Sequence, residues 1–345
     1  MRNRFCDTLT LVATLLLAGC DREGQSASAS AVPNVASELK SSAGESTAEW
    51  KTTGQTGRVV IGPQFDEAEA FSEGLAAVRI GAKYGFIDKQ GKIAISPQFD
   101  FAGAFSEGLA AVGIGSKEGY IDKQGKFTIT PKFEVADLFS FSEGLAPVRI
   151  GDFLTGKWGY IDKQGKITIK PQFDSAGSFA EGLAVVGIDE KWNYIDKQGK
   201  PVFKSQFDSA GSFSEGLAAV RIGDFLTGKW GYVDKQGMFV IKPQFDSAFA
   251  FSKGLADVRI GDKYGYIDKK GQIVIDPQFD FGDSFSEGLA AVRVGEDGIG
   301  KYGFIDGQGK FAIDPRFDQT FAFSEGMAAI RVGDDKNGKY GYISR

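Results

Sequence analysis

The side chains that could carry out chemistry in this chain are carboxylates, because histidine is absent and only two cysteines occur. Without histidine the chain cannot use Ser-His-Asp or Cys-His catalysis, His-ligated metals or a histidine pH switch. Two carboxylates can hydrolyse a glycoside when their surroundings hold one of them protonated. Such a pair must be unique in the protein, and its two carboxyls must have different pKa values. A carboxylate that recurs along the sequence is therefore a poor candidate.

Most of the carboxylates recur at regular intervals. One series is Glu73, Glu107, Glu143, Glu181, Glu215, Glu287 and Glu325, and the other is Asp88, Asp122, Asp162, Asp196, Asp234, Asp268 and Asp306. Residues repeated in every unit are better explained by turns and strand ends than by catalysis. A carbohydrate-active enzyme remains the alternative, and it would use acids that break the repeat, such as Glu118, Glu190 or Glu296.

We expect neither a metal site nor a cofactor. The acidic loops 295–298 and 333–338 lack the ligand series of an EF-hand loop, so they give only a weak signal for calcium. The prediction from these residues is a protein without catalytic activity.

An element of sequence Glu/Lys-Gly-Leu/Met-Ala recurs eight times along the chain. Its glycines are separated by 34 to 38 residues and are Gly74, Gly108, Gly144, Gly182, Gly216, Gly254, Gly288 and Gly326. A period of this length indicates stacked or radially arranged units that bury their apolar surfaces against one another.

Each unit has the pattern of about three short antiparallel strands. In the copy from Lys263 to Val292, apolar residues alternate on both sides of the turn Asp268-Lys269-Lys270-Gly271, which predicts a hairpin. Only the glycine suits a positive φ, so we expect a type I turn closed by a G1 bulge. Pro277 ends the second strand, and a third strand follows Gly288.

The repeated motif resembles that of a known family. Lys157-Trp158-Gly159-Tyr160 and Lys229-Trp230-Gly231-Tyr232, each preceded by Phe-Ser-Glu-Gly-Leu-Ala, are similar to the WG-repeat (KWG) proteins of bacteria. The resemblance covers residues 58–345. Several units depart from it: Tyr replaces the tryptophan, Glu118 occupies one aromatic position, Asn193 replaces the glycine and Ser205 the proline. The resemblance implies a scaffold and transfers no catalytic site.

The two ends of the repeat array are complementary halves of one hairpin. The array begins with a second half at Arg58-Val59-Val60-Ile61 and ends with a first half at Lys339-Tyr340-Gly341-Tyr342-Ile343. Pairing the two would close a ring and remove the free sheet edges. We therefore expect an all-β, propeller-like toroid, with an open β-solenoid as the alternative.

The first residues are typical of an export signal. Arg2 and Arg4 precede an apolar run that is too short to span a bilayer, and Leu-Ala-Gly-Cys20 resembles a bacterial lipobox. The resemblance implies cleavage after residue 19 and lipidation of Cys20, and Asp21 resembles an inner-membrane retention signal. We predict a signal peptide at 1–19, a flexible tether at 20–57 and the repeats at 58–345.

Charge and the predicted anchor restrict the partners. The formal net charge is −5, and phosphate attraction needs clustered positive charge, so nucleic acid is not expected. The lipid would attach the chain to the bacterial cell envelope, at the periplasmic face of the inner membrane or at the outer membrane. A protein or a glycan of the envelope could bind the repeats.

The candidates for recognition are features that the units do not share. Phe153-Leu154 and Phe225-Leu226 lie at the tips of two long loops, where exposed apolar side chains are unusual without a partner. Trp158, Trp192 and Trp230 could form a stacking surface for a sugar or peptide, or they could pack between units. We predict a non-catalytic binding protein, with a carbohydrate-active enzyme or a structural spacer as alternatives.

Overall fold

The computed structural model describes residues 57–134, 139–151, 155–204, 206–295, 300–334 and 336–345. These residues form thirty β-strands and no helix. None of them therefore forms an apolar helix long enough to cross a membrane.

Four kinds of strand recur in each unit. The first is two residues long, and the described examples are β2 (Glu67–Ala68), β6 (Phe101–Ala102), β13 (Ser175–Ala176), β16 (Ser209–Ala210), β20 (Ser247–Ala248), β24 (Phe281–Gly282) and β28 (Gln319–Thr320). The second strands are β3 (Leu75–Ile80), β7 (Ala110–Ile114), β10 (Leu145–Ile150), β14 (Ala184–Ile188), β17 (Ala218–Ile222), β21 (Leu255–Ile260), β25 (Ala290–Val294) and β29 (Met327–Val332).

The third and fourth strands carry the repeated motif. The third are β4 (Lys83–Asp88), β8 (Lys117–Ile121), β11 (Lys157–Asp162), β15 (Lys191–Ile195), β18 (Lys229–Val233), β22 (Lys263–Asp268), β26 (Lys301–Ile305) and β30 (Lys339–Ser344). The fourth are β5 (Ile93–Phe99), β9 (Phe127–Glu134), β12 (Ile167–Phe173), β19 (Phe239–Phe245), β23 (Ile273–Phe279), β27 (Phe311–Phe317) and β1 (Arg58–Phe65).

These strands form eight antiparallel sheets, the blades of a β-propeller. The first blade is β2-β3-β4-β5, and the blades are numbered from it along the chain, so that the eighth is β28-β29-β30-β1. The fourth strand exposes every second residue, as in β5, which places it at the outer edge. The two-residue strand lies at the opposite edge and faces the axis. The predicted three strands per unit missed this first strand, which is too short to show an alternating pattern.

The ring is closed by the two ends of the array, as the sequence predicts. β1 pairs antiparallel with β30, with Val59 opposite Ile343 and Phe65 opposite Tyr340. The Gly57 amide extends the ladder by donating to the Ser344 carbonyl at 3.0 Å. This pairing confirms the closed toroid and excludes the open solenoid.

The turn between the third and fourth strands also has the predicted geometry. In the sixth blade Gly271 has φ 79°, and its amide donates to the Asp268 carbonyl at 2.9 Å. The Asp268 side chain then accepts from the amides of Lys270 and Gln272, both at 2.9 Å. The second recurring series of aspartates therefore stabilises turns, as the repetition indicated.

The glycine of the aromatic-Gly motif is required by a bulge in the fourth strand. Pairing passes from Tyr264 opposite Phe279 to Tyr266 opposite Ile275, so the fourth strand has two extra residues, and Pro277 lies within that bulge. The prediction that Pro277 ends this strand is wrong, because the strand continues beyond the bulge to Phe279. A Cβ on Gly265 would lie 2.5 Å from the Ile275 carbonyl oxygen and 2.7 Å from the Pro277 nitrogen. The same contact recurs at the equivalent glycines of six other blades.

The fourth blade departs from the repeat at Asn193, which stands in the glycine position. Among the described residues there, Pro201 and Phe207 make only isolated bridges with the third strand. Ser205, in the proline position, lies outside the described residues. The Asn193 side chain donates to the Phe203 carbonyl at 3.0 Å, so the side chain that replaces the glycine is hydrogen-bonded to the neighbouring segment.

The hydrophobic core lies between blades. One cluster combines Trp230, Tyr232 and Phe245 of the fifth blade with Phe251 and others of the sixth, and the Tyr232 and Phe251 rings lie 4.8 Å apart. Similar clusters join the first blade to the second and the second to the third. A single blade cannot bury its own apolar side chains, so its stability comes from its neighbours.

We expect Gly265→Ala to destabilise the protein by about 1–3 kcal/mol, because the added methyl group must push the bulge of the fourth strand outward. The shift in the midpoint of urea unfolding measures this effect. Gly62→Ala is the control, since a Cβ at Gly62 has no atom within 4 Å. Equal midpoints for the two variants would contradict this account of the motif.

Candidate binding surfaces

One end of the propeller, the turn face, is formed by the Ser-Glu-Gly-Leu turns between the first and second strands. In the first blade Glu73 and Gly74 have φ of 54° and 86°, and Ser72 and Leu75 exchange both backbone hydrogen bonds. Positive φ at both central residues is the type I′ turn of tight hairpins. A glutamate in this conformation is strained, which suggests that its side chain has a compensating role.

Each of these glutamates binds the turn of the next blade. The Glu73 carboxylate accepts from the Gly108 amide at 3.1 Å, and the Glu325 carboxylate accepts from Gly74 at 3.0 Å across the closure. Seven such contacts link the blades, and the donors in the other five are Gly144, Gly182, Gly216, Gly254 and Gly326. We call this ring of contacts the carboxylate belt. The glutamates of the belt therefore have a structural role, as their repetition predicted.

Lysine and serine side chains complete the belt. Six of its glutamates pair with a lysine of the following blade at 3.0–3.2 Å, as Lys123 does with Glu73. The serine of the turn donates to a phenylalanine carbonyl in the following blade, and Ser72 does so to Phe105 at 2.6 Å. Three polar contacts therefore set the spacing of neighbouring blades at this face.

The belt contacts favour the ionised form of three glutamates, Glu143, Glu215 and Glu325. Burial alone would raise the pKa of Glu143, but hydrogen bonds from the Gly182 amide, the Lys197 ammonium and the Glu181 amide outweigh it and lower that pKa. The same balance lowers the pKa of Glu215 and Glu325. None of these three carboxyls is held protonated, so none of them meets the requirement for the general acid of a glycosidase.

The opposite end, the loop face, carries the loops between the second and third strands. Here the aspartate after each fourth strand joins two blades: Asp246 pairs with Lys229 of the fifth blade and accepts from the Gly261 amide of the sixth at 2.8 Å. The Lys229 ammonium, the Gly261 amide and the nearby Arg259 together lower the pKa of Asp246 against the effect of burial. Equivalent pairs occur at Asp66, Asp100, Asp174, Asp208, Asp280 and Asp318.

The first blade also has an arginine that lies beside an acid of the same blade. Arg79 pairs with Glu67 at 2.8 Å and lies near Tyr84, whose hydroxyl also donates to Glu67. Between the eighth and first blades these residues border a polar cavity of about 380 Å³, lined by Asp66, Glu67, Arg79, Arg331, Lys336, Asn337, Gly338, Lys339 and Tyr340. The cavity contains cations and carboxylates in contact, which gives it no strong preference for one charge.

Among the predicted binding residues, one apolar pair is exposed on the loop face. The side chains of Phe225 and Leu226 are 62% and 88% exposed at the tip of the loop between β17 and β18. The Asp224 carboxylate accepts from the Leu226 and Thr227 amides and fixes the loop backbone. Phe153, Leu154 and the lipidation residue Cys20 lie outside the described residues.

The tryptophans do not form a stacking surface. Trp158 and Trp230 are 5% and 8% exposed, and each contacts an arginine of its own blade, Arg149 or Arg221, at 5.9 Å. Trp192 is partly buried against the core between the fourth and fifth blades. These rings are packed within and between blades, which was the other interpretation of their sequence positions.

The acids proposed for an enzyme are not brought into one pocket of the described structure. Glu118 is buried in the second blade, Glu190 lies in an exposed loop of the fourth, and Glu296 lies outside the described residues. Sequence reasoning missed two buried acids, Asp257 and Asp283, in the sixth and seventh blades. The sequence signal for Asp257 was its replacement of an alanine found in five other units, whereas the position of Asp283 varies too much between units to give a signal. In the described ranges, no cluster of acids or cysteines could hold a metal ion.

Acid should destabilise the fold more than mild base. Carboxyls with a lowered pKa contribute stability above their ordinary values of 4.5 for Glu and 3.8 for Asp, and this contribution is lost as the pH falls through the lowered values. Burial raises the pKa of tyrosines such as Tyr160, so their contribution is complete below pH 10 and lost above it. The midpoint of urea unfolding should therefore be nearly constant from about pH 6 to 9 and fall on both sides. A step between pH 6 and 8 would contradict this expectation.

Comparison with known proteins gives a family and structural matches of low sequence identity. The solved structures that match include Hsv2 of Kluyveromyces lactis, at 11% identity and a TM-score of 0.45 over 84% of this chain and 98% of that one. PorZ, a bacterial surface component of the type-IX secretion system of Porphyromonas gingivalis, matches at 12% identity and a TM-score of 0.42 over 81% of this chain and 43% of PorZ. No curated protein matches the sequence at a significant level.

The sequence profile described as WG containing repeat matches eight segments: 54–84, 84–117, 119–152, 158–192, 194–224, 230–264, 264–296 and 302–340. Each match spans parts of two blades, since the repeat in sequence is offset from the blade in structure. These segments include most of the chain, and it belongs to the family of proteins built from WG-containing repeats.

Proposed function

We propose that this protein is a non-catalytic lipoprotein of the cell envelope that binds a partner protein with the loop face of its propeller. The observation that carries the proposal is the exposed pair Phe225 and Leu226, which breaks the repeat on a face where the recurring polar side chains are engaged with one another. A surface used for binding differs from the repeated scaffold, whereas the turn face is largely repeated.

The composition of the exposed tip favours a protein partner over a glycan. Leucine has no ring to stack on a sugar, and the indoles of Trp158 and Trp230 are buried. Aromatic residues are enriched at the cores of protein interfaces, where a few apolar side chains carry much of the binding energy. Arg221 lies 5.5 Å from the Phe225 ring and would add a charged donor beside the apolar contact.

The rigid loop backbone supports the same role. The Asp224 side chain accepts three hydrogen bonds, from the amides of Leu226 and Thr227 and from the Thr227 hydroxyl, all within 3 Å. Side chains presented on a fixed turn lose less conformational freedom on binding, which favours affinity.

The anchor rests on the sequence of the N-terminus. A lipid on Cys20 and the tether of residues 20–57 would hold the propeller near a membrane while leaving it free to turn. As a flexible coil this tether would span roughly 30 to 36 Å, a distance comparable to the size of a small domain.

Replacement of the exposed pair should remove partner binding without changing the fold. We expect Phe225→Ser/Leu226→Ser to lose the envelope proteins that the tagged wild-type chain recovers after cross-linking in its host, because the apolar anchor is gone. Met238→Ser is the matched control, since Met238 is 66% exposed but follows a turn at the other end of the blade. The proposal is wrong if wild type and the double variant recover the same proteins, or if the wild-type chain recovers only glycans or nothing.

Lipidation should depend on one of the two cysteines. Cys20→Ser should abolish incorporation of labelled palmitate and move the protein from the membrane to the soluble fraction, because the thiol that would receive the lipid is absent. Cys6→Ser, in the predicted signal peptide, should leave labelling and fractionation unchanged. Labelling that persists in Cys20→Ser would exclude the anchor while leaving the loop-face proposal intact.

A further inference from the structure

The carboxylate belt has one break, between the sixth and seventh blades. The glutamate position there is Lys253, which keeps the same backbone conformation with φ 54°. The lysine position of the following blade is Gly307. Both members of the usual Glu–Lys pair are therefore replaced together, so no two like charges face each other, and the carboxylate is lost.

The backbone on the two sides of the break keeps the positions found elsewhere in the belt. Ser252 donates to the Phe285 carbonyl at 2.6 Å, the distance found between Ser286 and Phe323 at the next junction. The turn of the seventh blade is also closed, because Ser286 and Leu289 exchange both backbone hydrogen bonds. The Gly288 amide therefore lies where the equivalent amide of each other blade meets a carboxylate.

At the break that place is open. Among the described residues no atom accepts a hydrogen bond from the Gly288 amide. Gly288 is exposed, as is Gly326, whereas the other six glycines in this position are half-buried. Gly307 carries no side chain that could extend over the site, and a Cβ there would have no atom within 4 Å. The site is thus accessible from solvent.

Positive charge lies on both sides of this amide. Lys253 is exposed on the sixth blade, and the Arg345 guanidinium of the eighth blade lies 3.4 Å from the position of a Cβ on Gly288. In the described part of the chain neither residue forms an ion pair with a carboxylate. Oriented amides flanked by cations favour an anion, and charge-assisted bonds of this kind are stronger than neutral ones.

We propose that the break between the sixth and seventh blades binds a carboxylate supplied by a ligand. The other seven junctions show the geometry, because a glutamate carboxylate occupies this place in each of them. In six junctions both carboxylate oxygens lie 3.0–3.3 Å from the glycine amide nitrogen, and in the fifth-to-sixth junction one oxygen lies at 3.1 Å. The carboxylates of Glu143, Glu215 and Glu325 each accept from a second, neighbouring amide as well, which is that of Lys253 in the case of Glu215. The site is on the turn face and does not depend on the partner proposed for the loop face.

The test follows the Gly288 amide by nuclear magnetic resonance. The chain is labelled with [15N]glycine and with glutamate that carries 13C at its carbonyl carbon, and this labelling selects the glycines that follow a glutamate. Titration with N-acetyl-alanine at constant ionic strength should shift this one signal to saturation, while sodium chloride should not. The other selected glycines in the belt are internal controls, because their amides already hold a carboxylate.

Two variants separate this site from general anion binding. Lys253→Glu/Gly307→Lys restores the belt and should abolish the response, since the protein's own carboxylate then occupies the site. Lys253→Glu alone is the second variant if the double change perturbs the fold. Glu107→Lys/Lys163→Gly opens the belt at the second-to-third junction, and the Gly144 amide should then respond as Gly288 does.

The source of the carboxylate is distinguished by the probes. N-acetyl-alanine represents the carboxylate of a chain terminus. The α-amide of N-acetyl-glutamate represents an acidic side chain, and glucuronate represents a uronic acid. A probe that binds at least tenfold more tightly than the others identifies the source, and equal binding shows recognition of the carboxylate alone. The proposal fails if none of the probes shifts the Gly288 signal, or if the restored-belt variant responds as the wild type does.

Discussion

Each blade of the propeller is fixed to the next where one Ser-Glu-Gly turn binds another, and this contact controls the spacing of the whole ring. The carboxylate of Glu73 reaches the Gly108 amide, and the hydroxyl of Ser72 reaches the Phe105 carbonyl. Such bonds have a defined length, whereas apolar contacts tolerate a range of separations. The belt therefore sets how closely the sheets approach, and the aromatic side chains between them fill the space that it leaves.

The same contact explains an unfavourable backbone conformation. A glutamate with positive φ costs free energy, yet seven of the eight turns contain one. Glycine would adopt this conformation without strain but could not bind the next blade. In those seven turns the strain within one blade is thus offset by a bond between blades, and closure of the ring by β1 and β30 gives the turn of the eighth blade its partner in the first. A free end would leave one turn without its neighbour.

Much of this fold could be predicted from the sequence, because hairpins and closure depend on local patterns. The alternation around Asp268-Lys269-Lys270-Gly271 specified a hairpin and its turn type, and the split motif at the two ends specified their pairing. The two-residue first strands were missed, since two residues cannot show a period. The belt was missed as well: the repetition of Glu73 and its equivalents indicated a structural role, but only the three-dimensional arrangement shows the amide that each one binds. For the same reason, the sequence could not decide whether Trp158 and Trp230 are buried or exposed.

Departures from the repeat are informative where the structure shows what compensates them. The glycine position of the fourth blade holds Asn193, and this change is compensated because the Asn193 side chain donates to the Phe203 carbonyl. Lys253 and Gly307 change together because they would otherwise place two lysines in contact without a carboxylate. This pair is compensated in charge, but the Gly288 amide is left open. In a protein made of near-identical units, a ligand is most reasonably sought where compensation is incomplete, because elsewhere the scaffold already satisfies its own groups.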